Sequence, residues 1–325
     1  MPNFAPLFPL FVPSFSSKGN LLLCQPDGTY ISDNYSLLQE LDLRVSKSYL
    51  VSAYDIYYGL MPRNPRDMPE TEYLFIDSGG YETNDSFDLS ERNKFNYHVM
   101  PWDKDKMKEI YSSIISCPKF QNAVTILSIH DTLGSFEQQL AEALSLGKEF
   151  PNAIINFIIK ICFPFECLLD EISKARTLLQ SIQIIGITEK ELGYTVRDRL
   201  QNLIRMRKTL NACGWNGSIH IFGGLEPNLA KLYYLAGADI FDGLSWQRMF
   251  YRNNASIYNP ESFYISLPEH ENKFLMMVDN LSVLQGVSNN LSAIFDMRTV
   301  KMNLMDSYLA SNNMTIGELL TVMEV

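Results

Sequence analysis

Eight short apolar runs recur along this chain, at residues 9–13, 48–54, 73–77, 124–130, 153–161, 182–188, 218–222 and 239–244. Helix-like segments separate most of them, at 104–116, 135–148, 167–181, 195–213 and 227–236. Strands of a parallel sheet are covered on both faces and therefore read as near-continuous Val, Ile, Leu and Phe runs. Their alternation with helices is the pattern of repeated βα units. Eight such units predict a (β/α)8 barrel of the TIM type, an architecture that collects its chemistry at the C-terminal ends of the strands. A doubly wound open sheet is the rival arrangement, but the Gly-rich dinucleotide loop that would follow its first strand is missing.

A chain of 325 residues is long enough for one large barrel or two smaller domains. With 46% hydrophobic and 20% charged residues it has the composition of a globular protein, which excludes a disordered chain. No apolar run reaches the roughly 18 residues of a membrane span, so no membrane partner is expected. The opening 15 residues are interrupted by prolines with no basic residue ahead of them, and read as a strand rather than a signal peptide. Five cysteines, with histidines scattered at 98, 130, 220 and 270, fit reduced thiols and a cytoplasmic location. The barrel is expected over residues 1–255. The Met- and Asn-rich remainder, 256–325, is read as a helical extension packed on it, and the polar insertion at 84–102 as a lid.

The net charge of −10 opposes binding of a polyanion, because phosphate affinity comes from lysine and arginine displacing counterions. Two local clusters run against that balance. Arg197, Arg199, Arg205, Arg207 and Lys208 share one predicted helix, where they also read as a solvated face. Arg248 and Arg252 follow the last apolar run.

Two strand ends carry candidate chemistry. One is Ile240-Phe241-Asp242-Gly243-Leu244-Ser245-Trp246-Gln247-Arg248, with a carboxylate closing an apolar strand and an arginine six residues on; the other is Phe75-Ile76-Asp77-Ser78-Gly79-Gly80-Tyr81. Taken singly, a strand-end aspartate is a helix cap or turn residue, and Ser-Gly-Gly is a tight turn. Together the two segments resemble the signature of the tRNA-guanine transglycosylase superfamily. Its members cut a base from a polynucleotide through an aspartyl-sugar intermediate and replace it with a 7-deazaguanine.

The resemblance implies a role for each matching residue. Asp242 would be the nucleophile, a carboxylate placed to meet the oxocarbenium-like carbon that forms as the base leaves. Arg248, with Arg252, would contact the polynucleotide. Asp77 would exchange the proton that the leaving and incoming bases require. Beside it, Ser78, Gly79 and Gly80 would bring backbone close to the base and Tyr81 would stack on it. Asp131, 54 residues after Asp77, would accept the N1 and exocyclic amino hydrogens of a guanine-type ring, and reads equally as a cap for the helix that follows. Gly186 and Ile187 would make a backbone contact to the base, with Glu191 behind them. Phe222 and Gly223 would close its other face, so that Tyr81 and Phe222 sandwich an extruded ring.

The chain departs from the family in two places. Where the family reads the base with a fifth-strand glutamine, this sequence has Lys160, which cannot accept a hydrogen bond and would favour a different exocyclic group, bind a phosphate or point outward. No cysteine follows Cys213, so the family's three-cysteine, one-histidine zinc site is missing; no metal and no cofactor is expected. The missing zinc subdomain counts against the usual dimer and against tRNA, and favours the branch that inserts 7-deazaguanines into DNA. The expectation is thus an enzyme, a guanine transglycosylase that introduces a base such as preQ0 into a nucleic acid, DNA favoured and tRNA possible. A basic partner protein could supply further phosphate contacts. Two alternatives stay open: a non-catalytic barrel that binds nucleic acid or a partner subunit, and a glycosidase that releases the base without replacing it.

Overall fold

The computed structural model describes residues 9–19, 22–24, 30–45, 47–83, 98–130, 134–161, 164–252, 255–258, 267–311 and 314–325. All eight apolar runs form strands: β1 Leu10–Phe15, β2 Ser48–Ser52, β3 Tyr73–Asp77, β4 Val124–Ser128, β5 Ile154–Ile159, β6 Ile184–Thr188, β7 Ser218–Phe222 and β8 Ile240–Gly243. They close into a parallel eight-stranded barrel in sequence order, each strand beside its predecessor and β8 beside β1. With its alternating helices this is the expected (β/α)8 fold, followed by C-terminal helices.

Six of the eight strands begin or end one or two residues away from the sequence reading, and two of these shifts have a clear local cause. β1 continues through Pro13 to Phe15: its ladder contacts, Leu10 to Asp239 on one side and Ser14 and Phe15 to β2 on the other, flank the proline. β2 stops at Ser52 rather than reaching Tyr54, because the chain turns at once into the short helix Ala53–Tyr57. The segment 167–181 is two helices, Phe165–Lys174 and Arg176–Leu179, hinged at Ala175.

The chain contacts itself in two compact units. One holds Pro13–Thr132 and Ser145–Asn156; the other holds Leu133–Leu144, Phe157–Val325 and the first residues of β1. In the first, the helix Lys104–Ile115 begins where the Asp103 side chain accepts the Asp105 and Lys106 N–H groups, and it buries Met107, Ile110, Tyr111 and Ile114 on one face. Tyr111 then donates its hydroxyl to the Ser128 carbonyl at 2.6 Å and meets Phe150 edge-on.

In the second unit a largely buried charge cluster lies at the start of β8. Asp239 accepts from Arg298 at 2.6 Å, from the Ile219 N–H at 2.8 Å and from Arg207. Arg207 also donates to the Gly237 and Gly217 carbonyls, and the Arg298 guanidinium lies 4.2 Å over the Tyr234 ring. Burial opposes the charge on Asp239, but Arg298 and Arg207 outweigh it and hold the carboxyl below its ordinary range. Arg298 thereby ties the C-terminal helices Glu269–Ala293, Arg298–Ser311 and Ile316–Met323 to the strand layer of this unit. Those helices belong to the same compact unit as β6 to β8, and the hairpin Met249–Arg252 with Ala255–Tyr258 straddles residue 255. Among the described residues, no helix is long and apolar enough to cross a membrane.

The cation cluster on the helix Val196–Ala212 has acidic partners within the chain. Arg199 pairs with Glu189 at 2.6 Å, Arg205 with Glu166 at 2.9 Å, Lys208 with Asp306 at 2.7 Å, and Arg207 is the buried partner of Asp239.

Candidate active-site residues at the strand ends

In the second unit, Asp242 is the third residue of β8 and is only 5% exposed. Its Oδ1 accepts the Gly223 N–H at 3.0 Å and lies 3.4 Å from Nε2 of the fully buried His220. His220 and Phe222 alternate on β7, so their side chains leave the strand on the same face, and the two rings stack at 4.1 Å. Gly223 has φ +82° and Gly243 φ +152°. A Cβ on Gly243 would lie 3.3 Å from the Gly223 backbone, so the two strand ends meet backbone to backbone.

After β8 the chain makes one helical turn, Ser245–Arg248, and runs into the hairpin strand Met249–Arg252. Arg248 is half-buried; Arg252 is exposed, its guanidinium 5.9 Å from the Phe250 ring. Glu226, the cap of the helix Pro227–Ala236, accepts the Leu229 N–H at 2.8 Å and the Ser256 hydroxyl, joining the hairpin to the β7 loop.

Gly186 and Ile187 are buried inside β6 and pair in register with His220 and Ile221 of β7. Glu191 forms a capping box with Thr188 and also accepts the Ile161 N–H at 3.3 Å, so it sits behind the loops that follow β5 and β6. Lys160 is half-buried. Buried Gln139 fixes its backbone, accepting its N–H at 2.9 Å and donating to its carbonyl at 3.1 Å.

In the first unit, Asp77 ends β3 and accepts the Gly79 N–H at 3.3 Å. Gly79 has φ +93°, and a Cβ there would lie 2.7 Å from the Tyr54 Cβ and 2.9 Å from Trp102 Nε1. Trp102 donates to the carbonyl of buried Ser78 at 2.8 Å, and the Met100 N–H donates to the Tyr54 hydroxyl at 2.8 Å. These bonds anchor the end of the insertion expected to act as a lid; residues 84–97 of it lie outside the described residues. Gly80 follows in the same turn. Tyr81 is 38% exposed, with the ammonium of buried Lys18 4.9 Å over its ring and bonded to its carbonyl at 3.1 Å.

Asp77 has two carboxyl companions that the sequence reading passed over. Asp55, from the helix after β2, accepts the N–H and hydroxyl of Ser17; Glu82, five residues beyond Asp77, accepts the Ser16 hydroxyl. Burial first, and then neighbouring carboxylates, push both upward, Asp55 to about 7 and Glu82 to about 8, against the opposing hydrogen bonds. Asp77 is among the charges acting on each. Among the described residues, no three His, Cys, Asp or Glu side chains are grouped closely enough to hold a metal ion.

Within the second unit, the structure brings Asp242, Gly223 and Phe222 into one cluster with His220, a companion that the i, i+2 spacing to Phe222 could have flagged. Within the first it gathers Asp77, Ser78, Gly79 and Tyr81 with Asp55, Glu82 and Lys18. The signal for Asp55 was available too, as a carboxylate just past a strand end. Asp131 lies outside the described residues. Compared with models of known families and with curated proteins, the sequence matches none.

Proposed function

We propose that the chain is a base-exchange transglycosylase that replaces guanine in a nucleic acid, DNA in preference to tRNA, with a 7-deazaguanine such as preQ0. The observation that carries this reading is the Asp242 carboxylate. It is buried at the end of a barrel strand with one oxygen fixed by the Gly223 N–H and beside His220, a setting suited to an oriented nucleophile.

In the first half-reaction an Asp242 oxygen bonds to the anomeric carbon as the bond from that carbon to the guanine nitrogen breaks, and the departing base takes up a proton from Asp77. In the second, the incoming base loses a proton to Asp77 and its nitrogen displaces the carboxylate, which restores the free enzyme. A carboxyl must therefore alternate between states, and the neighbourhood of Asp77, where Asp55 and Glu82 titrate near neutrality, supports that duty. Arg248 and Arg252 take the polymer's phosphates. With Arg199, Arg205, Arg207 and Lys208 of Val196–Ala212 engaged by acids of the same chain, a basic partner protein would supply further contacts.

The test is exchange of labelled guanine into matched DNA and tRNA by the purified chain and its Asp242→Asn variant. Incorporation into one polymer that vanishes in the variant supports the reading and identifies the substrate. Equal incorporation by the variant removes Asp242 as nucleophile, and release of guanine with no acceptor base present makes the protein a glycosidase.

A further inference from the structure

A buried side chain of the C-terminal helices holds the segment that carries Arg248 and Arg252. Asn280, in the middle of Glu269–Ala293, has no solvent exposure and uses its amide three times. Nδ2 donates to the Trp246 carbonyl and to the Met249 carbonyl, both at 2.7 Å, and Oδ1 accepts the Tyr251 N–H at 2.8 Å. The Trp246 and Met249 carbonyls flank Arg248, and Tyr251 directly precedes Arg252. The Tyr251 hydroxyl closes the same turn by donating to Ser245 Oγ at 2.7 Å.

An amide is the one neutral side-chain group that supplies two donors and an acceptor in a plane. An aspartate in its place would supply acceptors only and set a carboxylate against two carbonyls; a leucine would leave all three backbone groups unpaired at a buried site, where each costs a substantial desolvation penalty. Packing alone therefore does not explain an asparagine here. Its hydrogen bonds fix the backbone on both sides of one arginine and immediately before the other.

We infer that Asn280 is a positioning residue for polynucleotide binding: it presents Arg248 and Arg252 to the phosphates of the substrate strand, which makes the C-terminal helices part of the substrate site. The inference rests on the transglycosylase reading for the identity of the ligand. Its test is a double-mutant cycle on the full chain, with binding of a fluorescent guanine-containing single-stranded DNA and of a tRNA followed by anisotropy over a salt series. Binding is read separately from base exchange.

Arg248→Ala should weaken binding about tenfold and lower the slope of log affinity against log salt by about one, and Asn280→Ala, which releases both arginines, should do at least as much. The double variant should be no weaker than Asn280→Ala alone, because that variant has already lost the Arg248 contact. Effects that multiply, or Asn280→Ala affinity within twofold of the parent, overturn the inference, as does a parent chain that binds neither polymer. A parent that binds with this coupling but exchanges no base refutes the transglycosylase reading and leaves the role of Asn280 standing. If Asn280→Ala does not fold, Asn280→Gln replaces it in the cycle, since it keeps the donor and acceptor chemistry but displaces it by one methylene.

Discussion

His220 Nε2 lies 3.4 Å from Asp242 Oδ1, the same oxygen that takes the Gly223 N–H. The imidazole is fully buried and stacked on Phe222, so it has little freedom to move away from the carboxylate. Such an arrangement limits how the carboxyl can turn and, on the transglycosylase reading proposed above, the direction from which it would attack. His220→Ala should lower kcat for base exchange by about 10- to 100-fold with KM for the polymer nearly unchanged, the signature of lost orientation. Steady-state kinetics on a variant shown to be folded by circular dichroism checks it. Equal activity would reduce His220 to a core residue.

Asp55 and Glu82 make stability depend on pH in the direction opposite to an ion-paired carboxyl such as Asp239. Both are raised in the fold, from ordinary values of 3.8 and 4.5 to about 7 and about 8. Between those limits the unfolded chain has lost protons that the folded chain still holds. These two groups therefore make stability fall as pH rises from about 4 to about 8, and leave it level above that. The combined loss is on the order of several kcal/mol. Thermal melting from pH 4.5 to 8.5 should show Tm falling across this interval, and Glu82→Gln should flatten the fall. A wild-type Tm that rises steadily to pH 8 contradicts the assignment.

Gly79 is required by backbone and space together. Its φ of +93° disfavours any side chain, and a methyl group would run into Tyr54 and Trp102, which pack against this turn. Gly79→Ala should cost ~2 kcal/mol and lower Tm by several degrees. It should also weaken base exchange, since Asp77 accepts its hydrogen bond from this residue. A melting curve that superposes on the parent's would show that the turn relaxes without penalty.

Arg298 is one of two cations holding the half-buried Asp239 carboxylate. Removing it leaves the carboxylate with Arg207 as its remaining cation and takes a charged donor from the Tyr234 and Ala238 carbonyls. Arg298→Ala should destabilise the fold by ~3 kcal/mol, read from denaturant unfolding. Because the folded-state carboxyl lies below its ordinary range, the stability it contributes is present above the unfolded pKa and is lost as pH falls through the folded value. The parent and the variant should therefore converge in acid.

The barrel was legible because strands covered on both faces leave continuous apolar runs, as in the all-buried Ile154–Ile159. Asp77 and Asp242 were legible because they close such runs. Of their companions, His220 and Asp55 left a local signal, but the convergence of the others left none, for a physical reason. Ser16, Ser17, Asp55 and Glu82 converge from three strand ends, and Lys18, a residue type that is nearly always solvated, is fully buried under Tyr81. Sequence distance hides such convergence. The basic helix shows the converse: a row of cations along Val196–Ala212 looked available until acids from Glu166, Glu189, Asp239 and Asp306 were brought to it by the fold. Asn280 is an ordinary polar letter in a helix of weak periodicity, and only its three bonds distinguish it.

The close approach of Gly243 to Gly223 separates ancestry from activity. Glycine at 243 is favoured by its φ of +152° and by the tight approach of the Gly223 backbone, whatever the neighbouring residue does. On the transglycosylase reading, a descendant that had abandoned catalysis would tend to keep that glycine and be free to lose the aspartate before it. Across a lineage of such barrels, position 243 would record shared architecture, and position 242 would tell working enzymes from those retained only as scaffolds.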